Sequence, residues 1–564
     1  MRYYVLATDY DGTIASHGKV DNRTIEALKA CKESGRKIIL VTGRELKDLK
    51  NVFPEFELFD LIVAENGALI FDPATRKELL LGERPPQNFI DELIQKNVTP
   101  LSIGKVIVAT WEPNESIVLQ AIHNAHIEYQ LIFNKGAVMV LPPGINKAFG
   151  LQAALDYLQI SAHNTVAIGD AENDQAMFRI AECSAAVANS LHSIKKEATI
   201  VTTGDHGSGV TELISSLIKN DLSFAAPLIK KGKLLIGKRE DEEFFLDAYR
   251  NGILIAGTSG GGKTTLTTTF IEALVETKYQ FCLVDPEGDY TDFPDAVVIG
   301  DSNHVPVIEE AMKMLTNSYQ NVIICLLGIP FEKRPYFFNE FITKYTGLKN
   351  KKGHPHWLIV DEGYQVLPAN IEQTILNLPA TMKCLLIIST TPNNLSGTIL
   401  KHIDTVFAIG DEPGQLLSDF AVRKGTNNKF NSVKPLPKGK VWMWEVSKPD
   451  PFIIETKKPK HLNKRHIGKY ATGDMKYNAF VFKGPENKMN LRATNALMFA
   501  QMADGLDDET WNYHLKRHDY SKWFANSLHD DELAELAKEV ENSDTTPDDS
   551  KEKIVSMIKA TYSA

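Results

Sequence analysis

The apolar positions of this chain fall into short runs rich in β-branched residues, separated by stretches with helical spacing. "YYVLA" (3–7), "KIILVTG" (37–43), "LIVAENG" (61–67) and "TVAIGD" (165–170) predict buried strands, and "NRTIEALKACKESG" (22–35) predicts an amphipathic helix stopped by glycine. Continuous apolar runs alternating with helices argue for a parallel α/β sheet covered on both faces. Between about 83 and 142 the pattern changes: "KVIVAT", "IEYQLIFN" and "AVMVLPPG" predict strands around one helix, "NESIVLQAIHNA", as a small α+β insert. A second α/β pattern follows a connecting segment, "NDLSFAAPLIKKGK" (220–233). Its strands are "GILIAG", "FCLVD", "VIICLLG", "WLIVDE", "CLLIIST" and "TVFAIGD". From about 456 the pattern becomes mainly helical after one strand-like piece, "NAFVFKG". The expected division is an α/β Rossmann-like domain over 1–220 with its insert at about 83–142, a linker over 221–232, a second α/β domain over 233–455, and a mainly helical domain over 456–564.

Composition narrows the class. A chain of 564 residues is too long for one hydrophobic core. Its 43% hydrophobic and 24% charged residues are ordinary for a folded protein outside the membrane. No stretch approaches the ~20 apolar residues of a membrane span, so no membrane partner is expected. The opening "MRYYVLATDYDGT" carries acids straight after a very short apolar run, so no secretory signal is expected. The five cysteines are scattered without a CxxC pair, which suggests neither a disulfide framework nor a zinc site; a cytoplasmic location fits. The net charge of −10 argues against a chain that binds polyanions over its whole surface.

Chemistry enters with "LATDYDGTIA" (6–15). Asp9 and Asp11 end a buried strand one residue apart, before the turn at Gly12. A carboxylate can attack phosphorus, a neighbouring acid can protonate the leaving oxygen, and magnesium can neutralise the charge. The pair does not fit a calcium loop, which needs a third acid and a distal glutamate; two solvated aspartates capping a turn would be the plain alternative. Three later segments favour phosphate chemistry. "ILVTGR" puts Thr42 at the end of the next strand, "GINKAFGL" puts Lys147 at a helix start, and "AIGDAENDQAMF" puts Asp170, Asn173 and Asp174 in a strand-end loop. These motifs, in this order, resemble the haloacid dehalogenase superfamily, specifically Cof-type phosphatases of subfamily IIB, over about 1–218. The resemblance implies Asp9 as nucleophile, Asp11 as general acid/base, and Thr42 and Lys147 on the phosphate. It implies magnesium held by Asp9, Asp170 and the Asp11 carbonyl, oriented by Asn173 and Asp174. The insert at 83–142 would be the cap that selects a phosphorylated small molecule; its shortness resembles members acting on phosphoglycolate or sugar phosphates.

A second motif, "GTSGGGKTT" (Gly257, Thr258, Ser259, Gly260, Gly261, Gly262, Lys263, Thr264, Thr265), fits GxxxxGK[ST] between a strand and a helix. Backbone N–H groups would cradle the phosphates of ATP, with Lys263 on the β/γ oxygens and Thr264 on magnesium. "HWLIVDEG" ends a later strand in Asp361, expected to hold the magnesium, and Glu362, expected to polarise a water. The entry segment "LLIGKREDEEFFLDAYRNGILIAG", "CLVDPEGDY" and "IISTTPNNLSGTILKHIDTVFAIGD" resemble the HerA/FtsK group of RecA-like P-loop ATPases over about 231–455. The usual sensor glutamine is replaced around Thr390 and Thr391. That resemblance implies a homo-oligomer, a hexameric ring, and nucleic acid as a partner; Arg334 and Arg423 are the arginine-finger candidates, each weighed against an ordinary surface arginine.

In the third region "KKPKHLNKRHIGK" (457–469) reads as a solvated basic linker with no aromatics for base stacking. Trp511, Tyr513, Leu515, Tyr520, Trp523 and Phe524 read as core, and His514, His518 and His529 lack metal-ligand spacing. The function expected from the whole is a magnesium-dependent phosphomonoesterase joined to an ATP-hydrolysing domain. A nucleic-acid translocase with a phosphatase head and a polynucleotide kinase-phosphatase are the alternatives; Glu362 argues for hydrolysis over transfer to a hydroxyl.

Overall fold

The computed structural model describes residues 1–562 apart from Lys135, Ser259, 371–377, Asn427, 462–474, 476–478 and His529. Its first sheet has the strand order Ile200–Val201, Cys183–Ala186, Thr165–Gly169, Val5–Thr8, Lys37–Val41, Leu61–Ala64, Leu69–Phe71, Glu78–Leu80. The first six strands are parallel and the last two antiparallel. All four residues of Val5–Thr8 are buried, because helices cover both faces. Leu28 of Asn22–Glu33 and Leu213 of His206–Asn220 pack with Leu6 and Ile38. Leu151 and Leu155 of Lys147–Leu158 pack with Val5 and Ile39 on the other side. The alternation of apolar runs and helices thus produces the two-sided burial that it predicted.

The insert folds as a four-stranded antiparallel sheet, Ser102–Ile103, Val108–Trp111, Ala137–Leu141, Gln130–Asn134. Helices Gln87–Gln95 and Glu115–Asn124 back it through Phe89, Leu93 and Val118 against Val108 and Val140. The opposite face, with Ile107, Met139 and Leu141, packs on Ala68 and Ile145 of the larger unit. The buried Glu65 carboxylate pins this junction by accepting the N–H groups of Lys105 (2.9 Å), Val106 (2.8 Å) and Ile107 (3.0 Å).

The second sheet runs Glu242–Asp247, Lys233–Arg239, Phe452–Thr456, Lys440–Glu445, Ile403–Ile409, Gly252–Gly257, Leu385–Ser389, Trp357–Val360, Phe281–Asp285, Val322–Cys325, Val297–Ile299. From Ile403–Ile409 onward the strands are parallel. Helix Lys263–Glu276 covers one face through Phe270 and Leu274, and Arg334–Lys352 covers the other through Phe338, Phe341 and Tyr345. The segment expected to be a free linker is instead packed: Leu222, Ala225 and Ile229 lie in the first core, since their apolar side chains have a surface to bury against.

At the C-terminal end a hairpin, Phe480–Phe482 with Leu491–Ala493, joins helices around an aromatic core of Phe480, Phe499, Trp511, Tyr520, Trp523 and Phe524. His514 is structural: Nε2 accepts the Lys483 N–H (3.0 Å) and Nδ1 faces Asp519 (2.9 Å). His518 faces Glu541 at 3.1 Å, and His529 lies outside the described residues. The start of the basic run is mostly exposed, as expected of a solvated segment, but it is also tethered. Lys460 and His461 N–H groups cap Glu272, and the Lys457 and Lys460 ammonium groups pair with Glu276, both on helix Lys263–Glu276. Among the described residues no helix is long and apolar enough to cross a membrane.

The two α/β units meet through the N-terminal edges of their sheets. The buried Glu182, just before Cys183–Ala186, accepts from Arg2 Nη2 (2.7 Å) and from the hydroxyl of Tyr279 (2.7 Å), which lies just before Phe281–Asp285. Its second oxygen faces His163 Nδ1 (2.8 Å), while His163 Nε2 faces the Thr277 carbonyl (3.0 Å) and the ring stacks on Tyr279 (3.8 Å). Both ring nitrogens therefore face oxygen atoms. His356 Nε2 reaches Asn164 Oδ1 (3.2 Å) and Lys352 donates to the Leu158 carbonyl (2.8 Å) across the same seam.

Glu182→Ala should cost about 3–5 kcal/mol, because it leaves Arg2 without its buried counter-charge and Tyr279 and His163 without their hydrogen-bond partner; the denaturation midpoint of the full chain measures this. Burial alone would raise the Glu182 carboxyl, but His163, Arg2 and Tyr279 outweigh it and hold it below its ordinary 4.5. The seam's contribution to stability is then fully present above pH 4.5 and lost as pH falls through the lower folded-state value. Unfolding followed against pH should lose part of this acid sensitivity in Glu182→Gln.

Candidate active sites

The first site forms at the C-terminal ends of three parallel strands, where open α/β sheets leave a crevice. Asp9 follows Val5–Thr8, Thr42 follows Lys37–Val41 and Asp170 follows Thr165–Gly169; all three are buried. Lys147, at the first position of its helix and also buried, donates from Nζ to Asp9 Oδ1 and Asp174 Oδ1, both at 2.6 Å. The other oxygen of Asp174 accepts the N–H groups of Asp170 (2.9 Å) and Ala171 (3.0 Å), which shapes the loop. Burial and then the Asp174 charge push the Asp9 carboxyl upward, against the opposing pull of Lys147. Burial works against the Lys147 ammonium as well, but Asp174 and Asp9 more than compensate and raise it. The Asp9–Lys147 contact is therefore an ion pair short of positive charge.

That shortage is what a cation would fill. Asp9, Asp170 and Asp174 each offer an oxygen, all within 4.8 Å of one another. Asn173, whose Nδ2 donates to Asn66 Oδ1 (3.4 Å), keeps its buried Oδ1 without a hydrogen-bond partner. An all-oxygen donor set with excess negative charge suits magnesium, so these residues fit the ion. Gly12 is required here: at φ +86° a Cβ would sit 2.3 Å from Asp170 Oδ2.

Asp11 is not part of this buried cluster. Arg44 holds its carboxylate in a two-pronged contact, Nε to Oδ2 at 2.6 Å and Nη2 to Oδ1 at 2.7 Å, at the half-exposed mouth. Three neighbours were not singled out from the sequence. Thr13 Oγ1 bridges Asp9 Oδ2 (3.0 Å) and Asp170 Oδ1 (3.3 Å). Arg44 secures Asp11, and its N–H donates to Thr42 Oγ1 (3.1 Å). Asn66, at φ 55°, links Asn173 to the Thr42 carbonyl. Each lies inside a motif already noted, "DGT", "VTGR" or "AENG", so the signal was present.

The second cluster lies on the C-terminal edge of the other sheet. Gly257 ends its strand, Thr258, Gly260, Gly261 and Gly262 form the turn, and Lys263, Thr264 and Thr265 open the helix; Ser259 lies outside the described residues. Gly262 takes φ +101°, a conformation that favours glycine. The buried Lys263 turns back to the Thr258 carbonyl (3.2 Å). One strand, Leu385–Ser389, separates Gly252–Gly257 from Trp357–Val360, so Asp361 emerges about 10 Å away along the sheet. Burial, then Asp285, Glu362 and Asp289, push the Asp361 carboxyl well up. Asp285, of "DPEGDY", is raised to about 6 by burial although it accepts the N–H groups of residues 287–290. Glu362 sits in the left-handed region (φ 39°), a strained placement for a side chain other than glycine. The acid surplus beside a lysine and a glycine turn fits a magnesium–phosphate ligand. Both arginine candidates are engaged within the chain: Arg334 donates to the Ile329 carbonyl (3.0 Å) and Gln365, and Arg423 donates to the Leu395 carbonyl. Thr391 Oγ1 accepts the Asn393 N–H (3.3 Å) and Thr390 Oγ1 accepts from Asn394 (3.4 Å).

Comparison with known proteins bears on the first cluster. Residues 6–99 and 94–214 match the family described as haloacid dehalogenase-like hydrolase. The chain is 29% identical over 227 residues to phosphoglycolate phosphatase 2 of Saccharolobus solfataricus, covering 38% of this chain and 93% of that protein. It is 22% identical over 259 residues to 5-amino-6-(5-phospho-D-ribitylamino)uracil phosphatase of Bacillus subtilis, covering 37% and 96%. A solved haloacid dehalogenase-like hydrolase from Bacteroides thetaiotaomicron aligns with 38% of this chain and 99% of its own, at 19% identity and a TM-score of 0.33. The N-terminal part of the chain, about 38% of its length, thus matches the haloacid dehalogenase-like hydrolases.

Proposed function

We propose that the chain hydrolyses a small phosphomonoester in a magnesium-dependent reaction at the first cluster, and binds and hydrolyses ATP at the second. The observation that carries the first half is the buried Lys147 ammonium shared by Asp9 and Asp174 at the strand ends. It places a nucleophile and a phosphate-binding cation in one water-poor site. Asp9 attacks phosphorus and forms an aspartyl-phosphate, while Thr42 and Lys147 hold the phosphoryl oxygens. Asp11 gives a proton to the leaving oxygen and then takes one from the water that cleaves the intermediate. Arg44 occupies both carboxylate oxygens of Asp11, so this contact has to open before Asp11 can reach the leaving oxygen. Bound by Asp9, Asp170 and the Asp11 carbonyl, with Asn173 and Asp174 behind them, magnesium would neutralise the phosphoryl charge.

The substrate class follows from the relatives, whose names include phosphoglycolate and a ribitylaminouracil phosphate; both are small phosphomonoesters. The second half rests on the glycine turn and Lys263 after strand Gly252–Gly257, and on the acids Asp361 and Glu362 after Trp357–Val360, the next parallel strand but one. Lys263 and Thr264 would bind the ATP phosphates and their magnesium, and Glu362 would orient the attacking water.

Asp9→Asn should reduce magnesium-dependent phosphate release from small phosphomonoesters by more than about a thousand-fold while ATP hydrolysis stays unchanged. Lys263→Ala should do the reverse. Loss of both activities in either variant would overturn the assignment of separate sites. Thr13→Val, which removes the bridge between Asp9 and Asp170, should raise the magnesium requirement or lower turnover by about 10–100-fold, measured as phosphate release against magnesium concentration. Glu362→Gln should slow ATP hydrolysis by about 10²–10⁴ with ATP affinity retained in equilibrium binding.

A further inference from the structure

Neither phosphate cluster touches the seam between the α/β units, because both lie at the opposite edges of their sheets. The seam encloses a cavity of about 300 Å³, at the small end of the range for ligand sites, which favour domain interfaces. One wall comes from Arg2 and Tyr4 ahead of strand Val5–Thr8. The other comes from Tyr249, Tyr279, Lys349 and Lys383 of the second unit.

Charge in this cavity is unbalanced. Lys349 Nζ donates to the carbonyls of His356 (2.7 Å) and Lys383 (3.2 Å) and has no carboxylate partner among the described residues. Burial pushes its ammonium down. Lys383 Nζ lies 4.9 Å from the centre of the Tyr249 ring, and the Arg2 guanidinium lies 4.8 Å from the same centre. The carboxylate on the lining, Asp221, is already engaged by Arg36 (2.9 Å) and by the Arg2 N–H. Glu182 is taken up by Arg2, His163 and Tyr279. A partly desolvated ammonium satisfied only by carbonyls is costly. An anion in the cavity relieves that cost.

We propose that this seam cavity binds a small anion bearing a phosphate or carboxylate group, held by Lys349 and Lys383 beside Tyr249. Because its walls come from both units, the occupant bridges them. It also lies against Tyr279, three residues beyond the end of helix Lys263–Glu276, so it is placed to sense or set the position of that helix.

The test is calorimetric titration of the full chain carrying Lys147→Met and Lys263→Ala, which remove the phosphate-holding lysine of each cluster. Inorganic phosphate and malonate serve as separate probes, so that a phosphate ligand is told from a carboxylate one. The expected result is one equivalent of at least one probe, with affinity reduced about tenfold or more when Lys349→Met or Lys383→Ala is added. Lys383 is exposed, so Lys383→Ala decides the matter even if Lys349→Met fails to fold. Absence of binding by both probes, or binding that neither lysine substitution weakens, would overturn the proposal.

Discussion

A buried ammonium between two carboxylates is the contact on which the first site depends. Asp9, Asp170 and Asp174 converge within 4.8 Å, and like charges that close in a poorly solvated pocket would drive the loops apart or take up protons. Lys147 offsets part of that repulsion by bonding to Asp9 and Asp174 together. Asp174 then uses its other oxygen to fasten the Asp170 loop, and Thr13 ties Asp9 to Asp170. The cluster is consequently rigid without being neutral. Residual negative charge and a fixed geometry are the two properties that a magnesium–phosphate site needs.

The second constraint is the way the sheets meet. Parallel strands expose their C-terminal ends to ligands, and in this chain the N-terminal ends of both sheets are used to bind each other. Glu182, His163, Tyr279 and His356 occupy the seam, and Asp9 and Lys263 lie at the opposite, C-terminal edges of their sheets. Communication between them would run through the framework. Helix Lys263–Glu276 is suited to it: its first turn carries Lys263, its middle is held by residues 457–461 through Glu272 and Glu276, and Thr277 and Tyr279 beyond its end touch His163 and Glu182.

Much of both sites was legible in the sequence, for local reasons. "DYDGT", "VTGR", "GDAEND" and "GTSGGGKTT" each place a polar residue within a few positions of a buried apolar run, so the strand end and its turn could be read together. Trp511, Tyr520, Trp523 and Phe524 were legible as core because their spacing matched a helix face, whereas Tyr513, read with them, is half-buried outside that core beneath Arg517. Two segments make contacts that local chemistry did not foretell. The segment 220–233 looked like a linker by its composition, yet Leu222, Ala225 and Ile229 had a core to enter. The basic run after 456 looked solvated, yet its first residues met two glutamates on a helix some 180 residues earlier.

The sequence by itself determined which polar residues emerge at which strand ends, because hydrophobic period, glycine turns and helix starts are properties of neighbouring residues. Only the tertiary structure decided their partners. The pairing of Lys147 with Asp9, of Arg44 with Asp11, of Glu182 with Tyr279, and the cavity around Lys349 all join residues separated by dozens to hundreds of positions. Those contacts depend on strand order and on which sheet edges pack together, and no short stretch of sequence encodes either.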